Sequence, residues 1–526
     1  MSESQTSLHP AWLESLRNPE TYSHPVDSIQ IAETHISWVV LTGDWAYKLK
    51  KPVNFGFVNF TTLELRHAAC HDEIRLNKRT APDLYDAVVP LTCNPSGYRF
   101  GGTGPTVEFA VRMRQFSQED LLDQRLHRGA ISADVIDVLA HEVASLHQQA
   151  AVAPADSVFG SPEKVHEVVH ACLSVLAAVP LSGDLQSQLS KLNSWTNQEF
   201  SRLEPVLVRR KEQGFVRECH GDLHLGNLVM FHGRPTLFDC LEFNPDLRWI
   251  DVISDLAFLF MDLIDRSAEP FAWRILNLWL QQTGDYAGLQ MLKYYATYRA
   301  LVRAKVAALR FQQPEIAEIE MQRQTELLLS YVNLASQMTC PKQPAIYLMH
   351  GVSGSGKSFV ARELASFLGA IQIRSDVERK RLFGCWPASP NNAVSNPEMY
   401  SASATVQTYH RLQDLTREIV GHGYSVVVDA AFLARSNRHS FVTLAHDLGV
   451  SVRIVSCTAS DETLKQRIRE RLSRGDDPSD ANLQVLEKQL ELREDLTSEE
   501  IKLRFCVDTE AENLFAAFRE LSVSSL

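Results

Sequence analysis

Ala345-Ile346-Tyr347-Leu348-Met349-His350-Gly351-Val352-Ser353-Gly354-Ser355-Gly356-Lys357-Ser358 sets a short apolar run directly before a glycine-rich loop. The run reads as a buried strand, and Phe359 to Leu368 reads as a helix opening at the loop's end. Strand, loop and helix in that order are the context in which Gly-x-x-x-x-Gly-Lys-Ser cradles phosphates. Gly351, Gly354 and Gly356, with Ser355 among them, let backbone N–H groups wrap an anion at a helix N-terminus, where the dipole favours negative charge. Lys357 is expected to reach the β and γ phosphates, and Ser358 to bind Mg2+. The stretch therefore predicts a parallel-sheet P-loop NTPase fold with ATP and Mg2+ as cofactors.

Downstream, the strand Ile371-Gln372-Ile373-Arg374 ends at Ser375-Asp376, with Arg379 about one helical turn further on. This arrangement resembles the polynucleotide kinase, gluconate kinase and zeta-toxin group of P-loop kinases. The resemblance implies that Asp376 is catalytic, accepting a hydroxyl proton, and that Arg379 holds an anionic acceptor. The strand Ser425 to Val428 ends at Asp429, an acidic position suited to the metal or the acceptor. A helix carrying Arg467, Arg469, Arg471 and Arg474 then runs into Gly475-Asp476-Asp477-Pro478. Its functional reading is a lid closing on the phosphates through Arg471 or Arg474. Its plain reading is a solvated basic helix. Leu503 to Val507 reads as the last strand, and no sensor or oligomer-interface motif of an AAA motor is visible.

Upstream, Ser336 to Pro344 is polar, holds two prolines and reads as a linker. Before it lies a second chemical stretch, His220-Gly221-Asp222-Leu223-His224-Leu225-Gly226-Asn227, followed by Asp239. One rigid turn aims a carboxylate at an acceptor and an amide at a metal, with two glycines permitting close backbone approach. The octet resembles the catalytic loop of the aminoglycoside phosphotransferase-like kinases, with His-Gly-Asp where protein kinases have His-Arg-Asp. By that resemblance Asp222 is the catalytic carboxylate and Asn227 and Asp239 hold Mg2+. Asp255 resembles the aspartate that braces this loop.

The same resemblance assigns the earlier strands to a nucleotide-binding lobe. Ile36 to Leu41 and Trp45 to Lys50 read as paired strands around Gly43-Asp44. Alternation puts Lys48 and Lys50 on one face. Lys48 is favoured as the lysine that holds ATP phosphates, but spacing does not decide between the two. Glu73, on a helix from Thr62 to Thr80, is the candidate partner for that lysine, with Glu64 and Asp72 as competitors. Residues 11 to 34 read as a helical lead-in. Gly101-Gly102-Thr103-Gly104-Pro105 reads as a hairpin turn rather than a phosphate loop. Trp249 to Ile264 carries three aspartates, is too short to span a membrane and reads as a buried helix.

The whole composition sets limits. With 526 residues the chain exceeds what one core organises, so more than one domain is expected. A net charge of -12 argues against a nonspecific nucleic-acid coat. Nine scattered cysteines without Cys-x-x-Cys suggest neither a zinc site nor a disulfide framework, and the reading is cytoplasmic without a membrane partner. The fold class expected is α/β and α+β in two domains. Residues 1–335 form a bilobal protein-kinase-like fold, 336–344 a linker, and 345–526 the P-loop fold.

The two resemblances in this order match a bacterial family of bifunctional phosphotransferase and ATP-binding proteins. They imply γ-phosphoryl transfer from MgATP to small hydroxylated acceptors at two sites. The competing readings are a nucleotide-binding regulatory or toxin-like module, or a second domain that phosphorylates nucleotide or nucleic-acid 5′-hydroxyl ends. Acceptor identity and oligomeric state are not readable from the sequence.

Overall fold

The computed structural model describes residues 10–519 except 57, 181–182, 313–316, 387–396, 475–478, 480 and 512–517. Contacts group the chain into two compact units, Met1–Val168 with Leu203–Leu259, and Val169–Arg202 with Phe260–Leu526.

The first unit is built on an antiparallel sheet of six strands. They are β1 (Gln30–Glu33), β2 (Ser37–Leu41), β3 (Trp45–Lys50), β4 (Tyr85–Asn94), β5 (Gly97–Phe100) and β6 (Thr106–Arg114), in the order β1-β2-β3-β6-β4-β5. Alternation along β3 sends Tyr47 and Leu49 into one apolar layer with Trp12, Leu16, Trp38 and Val40. Ala46 faces the other way, into a layer with Cys70, Tyr85 and Val111. Lys48 and Lys50 share that second face. The helix Leu63–Asn77 lies against β4 and β6, started by Thr62, whose hydroxyl accepts from Leu65 N at 3.3 Å. Helix on one face of an antiparallel sheet, with the lysine strand beside it, is the small lobe of a protein-kinase-like fold. The second part of this unit carries β7 (Val216–Glu218), β8 (Leu228–Phe231), β9 (Arg234–Leu237) and β10 (Trp249–Asp251), paired as β7 with β10 and β8 with β9.

Two sequence expectations change here. The lead-in is not helical to residue 34: only Ala11–Ser15 is α-helix, and Gln30–Glu33 pairs with β2. Pro19 and Pro25 interrupt helical continuation, and the ladder to β2 supplies the backbone partners. The glycine stretch 101–105 is a turn but not a hairpin, because β4 lies between β5 and β6. Gly104 is at φ 133°, and a Cβ there would fall 2.3 Å from Cys93 O. The glycine thus serves a tight backbone crossing.

The second unit centres on a parallel sheet of β11 (Ala345–His350), β12 (Ile371–Arg374), β13 (Val426–Asp429), β14 (Ser451–Thr458) and β15 (Arg504–Asp508), in the order β12-β13-β11-β14-β15. Its strands are apolar on both faces, as expected when helices cover both sides. The helix Lys357–Leu368 packs Val360, Ala361 and Leu364 into a core with Tyr347, Met349, Val427 and Val455. Upstream helices Glu269–Thr283, Leu289–Phe311 and Glu318–Thr339 belong to the same unit. The last of these runs through Thr339, so the irregular link covers only residues 340–344.

Candidate active sites

In the first unit, β3, the helix Leu63–Asn77 and the segment after β9 bring five charged side chains together. Lys48 Nζ donates to Glu73 Oε1 at 2.8 Å and also to Asp239 Oδ1. Lys50 Nζ donates to the other Glu73 oxygen and to Glu242. Glu73 therefore bridges the two lysines. The Lys48 side chain is 13% exposed and that of Lys50 0%. Only Lys48 reaches the open side, where Asp239 is 39% exposed. Glu64 sits in the first helical turn and Asp72 pairs with Arg75 at 3.1 Å, so neither competes for the lysines. Burial by itself lowers the Lys48 pKa, but Asp239 and then Glu73 outweigh it and hold the amine well above its usual range. Burial would raise the Glu73 pKa, and Lys48 and Lys50 reverse that, keeping its carboxyl below the usual range.

The octet forms a turn beside this cluster. Gly221, at φ 87°, has no room for a Cβ, which would meet Leu247 O at 3.0 Å and Leu241 Cβ at 3.1 Å. Asp255 accepts from His220 N at 3.0 Å and Gly221 N at 2.9 Å, and His147 Nε2 lies 3.1 Å away. It braces the loop from a buried position. His220 Nδ1 lies 3.3 Å from Asp222 N, and His220 Nε2 meets Phe238 O at 2.9 Å. The ring therefore ties the Asp222 turn to the residue before Asp239. Asn227 Nδ2 donates to Asp222 O at 2.9 Å and to Asp222 Oδ2 at 3.0 Å. That leaves the Asn227 amide oxygen as an acceptor suited to a cation. Asp222 is 40% exposed, with His224 Nε2 at 3.4 Å. Asp239 adopts φ 61°, uncommon for a residue with a side chain, and its N–H donates to Tyr85 Oη at 3.1 Å. The buried Glu242 was not singled out from sequence. Its signal was a carboxylate in an apolar frame, Leu241-Glu242-Phe243, three residues after Asp239.

In the second unit, Gly351, Gly354 and Gly356 all have positive φ. A Cβ on Gly351 would lie 2.7 Å from Cys457 O, and one on Gly354 2.6 Å from Leu464 O. The loop needs glycine at both positions. Lys357 Nζ donates to Val352 O at 2.7 Å. Burial lowers the Lys357 pKa, and Asp429 offsets this only in part. β12 and β13 run parallel with Arg374 opposite Asp429, so Asp376 and Asp429 both stand at the carboxyl ends of the sheet. That edge is where ligands bind open α/β sheets. Asp429 is buried, 3.5 Å from Arg374 Nε, and accepts from Gln372 Nε2 at 3.3 Å and from the Ser358 hydroxyl. Burial raises its pKa against the pull of Arg374 and Lys357. Arg379 donates to Met399 O at 3.4 Å and lies over the Tyr400 ring at 5.5 Å. Arg471 donates to Ala481 O, whereas the Arg474 side chain and residues 475–478 lie outside the described residues. Arg467 grips the loop instead, donating to Thr509 Oγ1 at 2.8 Å and to Gly354 O at 3.5 Å.

An anion fits this second site. Among the described residues, Ser355 Oγ, Arg379 Nε and Arg471 Nε are buried without a hydrogen-bond partner, and such donors are costly to leave unmet. Together with Lys357, Ser358 and the glycine backbone they form a donor-rich set for phosphate oxygens, and Ser358 and Asp429 offer oxygens to Mg2+. In the first site, Asn227, Asp239 and Lys48 bring two candidate oxygen ligands and a cation to one site from three segments, which also suits a metal-bound phosphate.

Residues 346–496 match a family model described as an AAA domain, in agreement with the P-loop sheet. Over 471 residues the chain is 31% identical to Uncharacterized protein Rv2004c of Mycobacterium tuberculosis (strain ATCC 25618 / H37Rv), covering 88% of this chain and 90% of that protein. Uncharacterized protein Mb2027c of Mycobacterium bovis matches with the same 31% identity and the same shares, 88% and 90%. The chain belongs to the family of these mycobacterial proteins. Among solved structures, a gluconokinase from Sinorhizobium meliloti covers 35% of this chain and 96% of its own, at 22% identity and TM-score 0.24. A choline/ethanolamine kinase family protein from Mesorhizobium loti covers 62% of this chain and 98% of its own, at 11% identity and TM-score 0.36. Among the described residues, no helix is long and apolar enough to cross a membrane.

Proposed function

We propose that the chain is an ATP-dependent phosphotransferase with two sites, each passing a phosphoryl group to a small hydroxylated acceptor. The observation that carries the reading is Lys48 paired at once with Glu73 and Asp239, residues 25 and 191 positions away, beside the Asp222–Asn227 turn. A lysine, a helix carboxylate, a metal-side carboxylate and an exposed carboxylate on a braced turn make a phosphoryl-transfer set. MgATP, when bound, supplies the γ-phosphoryl group and the metal's charge.

At the first site Asp222 takes the proton from the acceptor hydroxyl at a carboxylate oxygen. Its hydrogen bond from Asn227 holds it in one rotamer. Asn227 and Asp239 are the oxygen ligands of Mg2+, and Lys48, oriented by Glu73, meets the phosphates. At the second site Lys357 and the loop amides hold the phosphates, and Ser358 and Asp429 hold the metal side. Asp376 serves the acceptor hydroxyl, Arg379 an anionic group on the acceptor, and Arg471 a closing contact. We place the functional division of the chain at the linker 336–344 of the sequence reading. Both mechanisms are positioning and charge stabilisation rather than covalent catalysis by the protein.

The test is ATP-to-ADP turnover against a panel of small hydroxylated metabolites and aminoglycosides, using wild type, Asp222→Asn and Lys357→Ala. An acceptor-dependent signal lost in Asp222→Asn and kept in Lys357→Ala assigns that acceptor to the first site, and the converse assigns it to the second. Acceptor-dependent turnover that survives in the double variant contradicts the proposal.

A further inference from the structure

The P-loop sheet ends at β12, an edge strand whose outer backbone groups need partners. Two groups along this edge are met by the helix Glu269–Thr283, which lies before the linker in sequence and within the same compact unit. Asn277 Nδ2 donates to Ala370 O at 2.9 Å, and Gln372 N donates to Asn277 Oδ1 at 2.7 Å. One side-chain amide thus closes the edge as another strand would. Trp273 lies over Gly369, whose Cβ position is 2.9 Å from the indole, and Arg274 pairs with Glu363 at 3.0 Å.

The next buried polar residue on this helix points further into the site. Gln281 Nε2 donates to Gln372 Oε1 at 3.3 Å, and Gln372 Nε2 donates to Asp429 Oδ2 at 3.3 Å. Gln281 is 6% exposed and Gln372 2%, so water does not substitute for either bond. The chain of amides ends on Asp429 Oδ2, the oxygen that Arg374 Nε also approaches at 3.5 Å. The Gln281 carbonyl also accepts from Arg381 and, at 2.7 Å, from Trp386 Nε1. It thereby steadies the end of the helix Ser375–Leu382 that carries Asp376 and Arg379.

We propose that Gln281 and Gln372 are positioning residues of the P-loop site. Through them, a helix from outside the P-loop sequence sets the orientation of Asp429 and with it the site's use of Mg2+. The proposal rests on the reading of Asp429 as the metal-side carboxylate given above.

The test uses the full chain in a Lys48→Ala background, so that only the P-loop site reads out. Mg2+ is titrated against binding of a fluorescent N-methylanthraniloyl ATP. Gln281→Leu and Gln372→Leu each raise the half-maximal Mg2+ concentration by roughly 3- to 10-fold, the size of one or two lost hydrogen bonds. Nucleotide affinity at saturating Mg2+ stays within about twofold, because the phosphate-holding loop is untouched. The double variant is no worse than Gln372→Leu alone, since Gln281 acts through Gln372. An unchanged Mg2+ midpoint in both single variants overturns the proposal, as does additivity in the double. If Gln281→Leu lowers the melting temperature, Gln372→Leu reports on the same link from the sheet side. Lys357→Ala in the same background separates the failures: if binding persists there, the reading of the second site itself is wrong.

Discussion

The two candidate sites both place a lysine where phosphate is expected, and they treat it in opposite ways. Lys48 is held by two carboxylates and keeps its proton firmly. Lys357 is buried against a carbonyl, has no carboxylate within ion-pair distance among the described contacts, and its pKa is lowered. The first site already pairs its lysines before ligand arrives. Lys48 and Lys50 face Glu73, Glu242 and Asp239, so the excess charge is negative and sits at the exposed Asp239 end, where a cation is proposed. The second site has buried donors waiting for acceptors. A loop of backbone amides suits an anion, whereas at the carboxylate cluster the proposed metal would free the lysine.

The largest effect that separates the sites is catalytic. Asp222→Asn is expected to lower kcat of the first reaction by roughly 10²- to 10⁴-fold, the usual worth of a positioned base, and to leave the second unchanged. Lys357→Ala does the reverse, and acceptor-dependent turnover in each variant checks it.

Stability comes next. Lys50→Met strips the buried Glu73–Glu242 pair of its shared cation and is expected to cost about 3–5 kcal/mol, read by urea unfolding. Lys357→Met removes a desolvated cation without a direct carboxylate partner and is expected to be neutral or stabilising. Equal losses in the two variants would break the comparison.

Proton linkage is smaller. Phosphate at the second site restores the lowered Lys357 pKa, so nucleotide binding there takes up a fraction of a proton at alkaline pH. The first site, whose lysine is already protonated, takes up none through Lys48. Calorimetry in buffers of different ionisation enthalpy, on Lys48→Ala and Lys357→Ala, measures the difference.

The smallest effect is on acid stability, and its sign differs between the sites. Glu73 has a folded pKa below its ordinary 4.5, so its stabilisation is present above that value and is lost as pH falls toward the folded one. Asp429 has a folded pKa above its ordinary 3.8, so its contribution is full below that value and is lost as pH rises through the folded one. The stability of wild type relative to Glu73→Gln should therefore shrink on acidification, and that relative to Asp429→Asn should grow. Urea unfolding between about pH 3 and pH 6 reads both.

The motifs were legible because their chemistry is local. Eight consecutive residues carry the phosphate loop and eight the Asp222 turn, and the structure draws each as one turn. Lys48 and Lys50 fall on one face by alternation, but only tertiary structure shows that Lys50 is sealed and Lys48 is not. Glu242, Gln281 and Gln372 escaped because their roles are defined by partners far along the chain, and each alone is an ordinary polar residue. Gln30–Glu33 was misread because a short edge strand with exposed side chains has no alternating pattern to show.

The central claim is two independent nucleotide sites on one chain. Titrating N-methylanthraniloyl ATP with Mg2+ against wild type, Lys48→Ala and Lys357→Ala tests it most directly. The account predicts two sites in wild type and one in each variant, with different sites remaining. A single site in wild type, or two sites surviving either substitution, would contradict it.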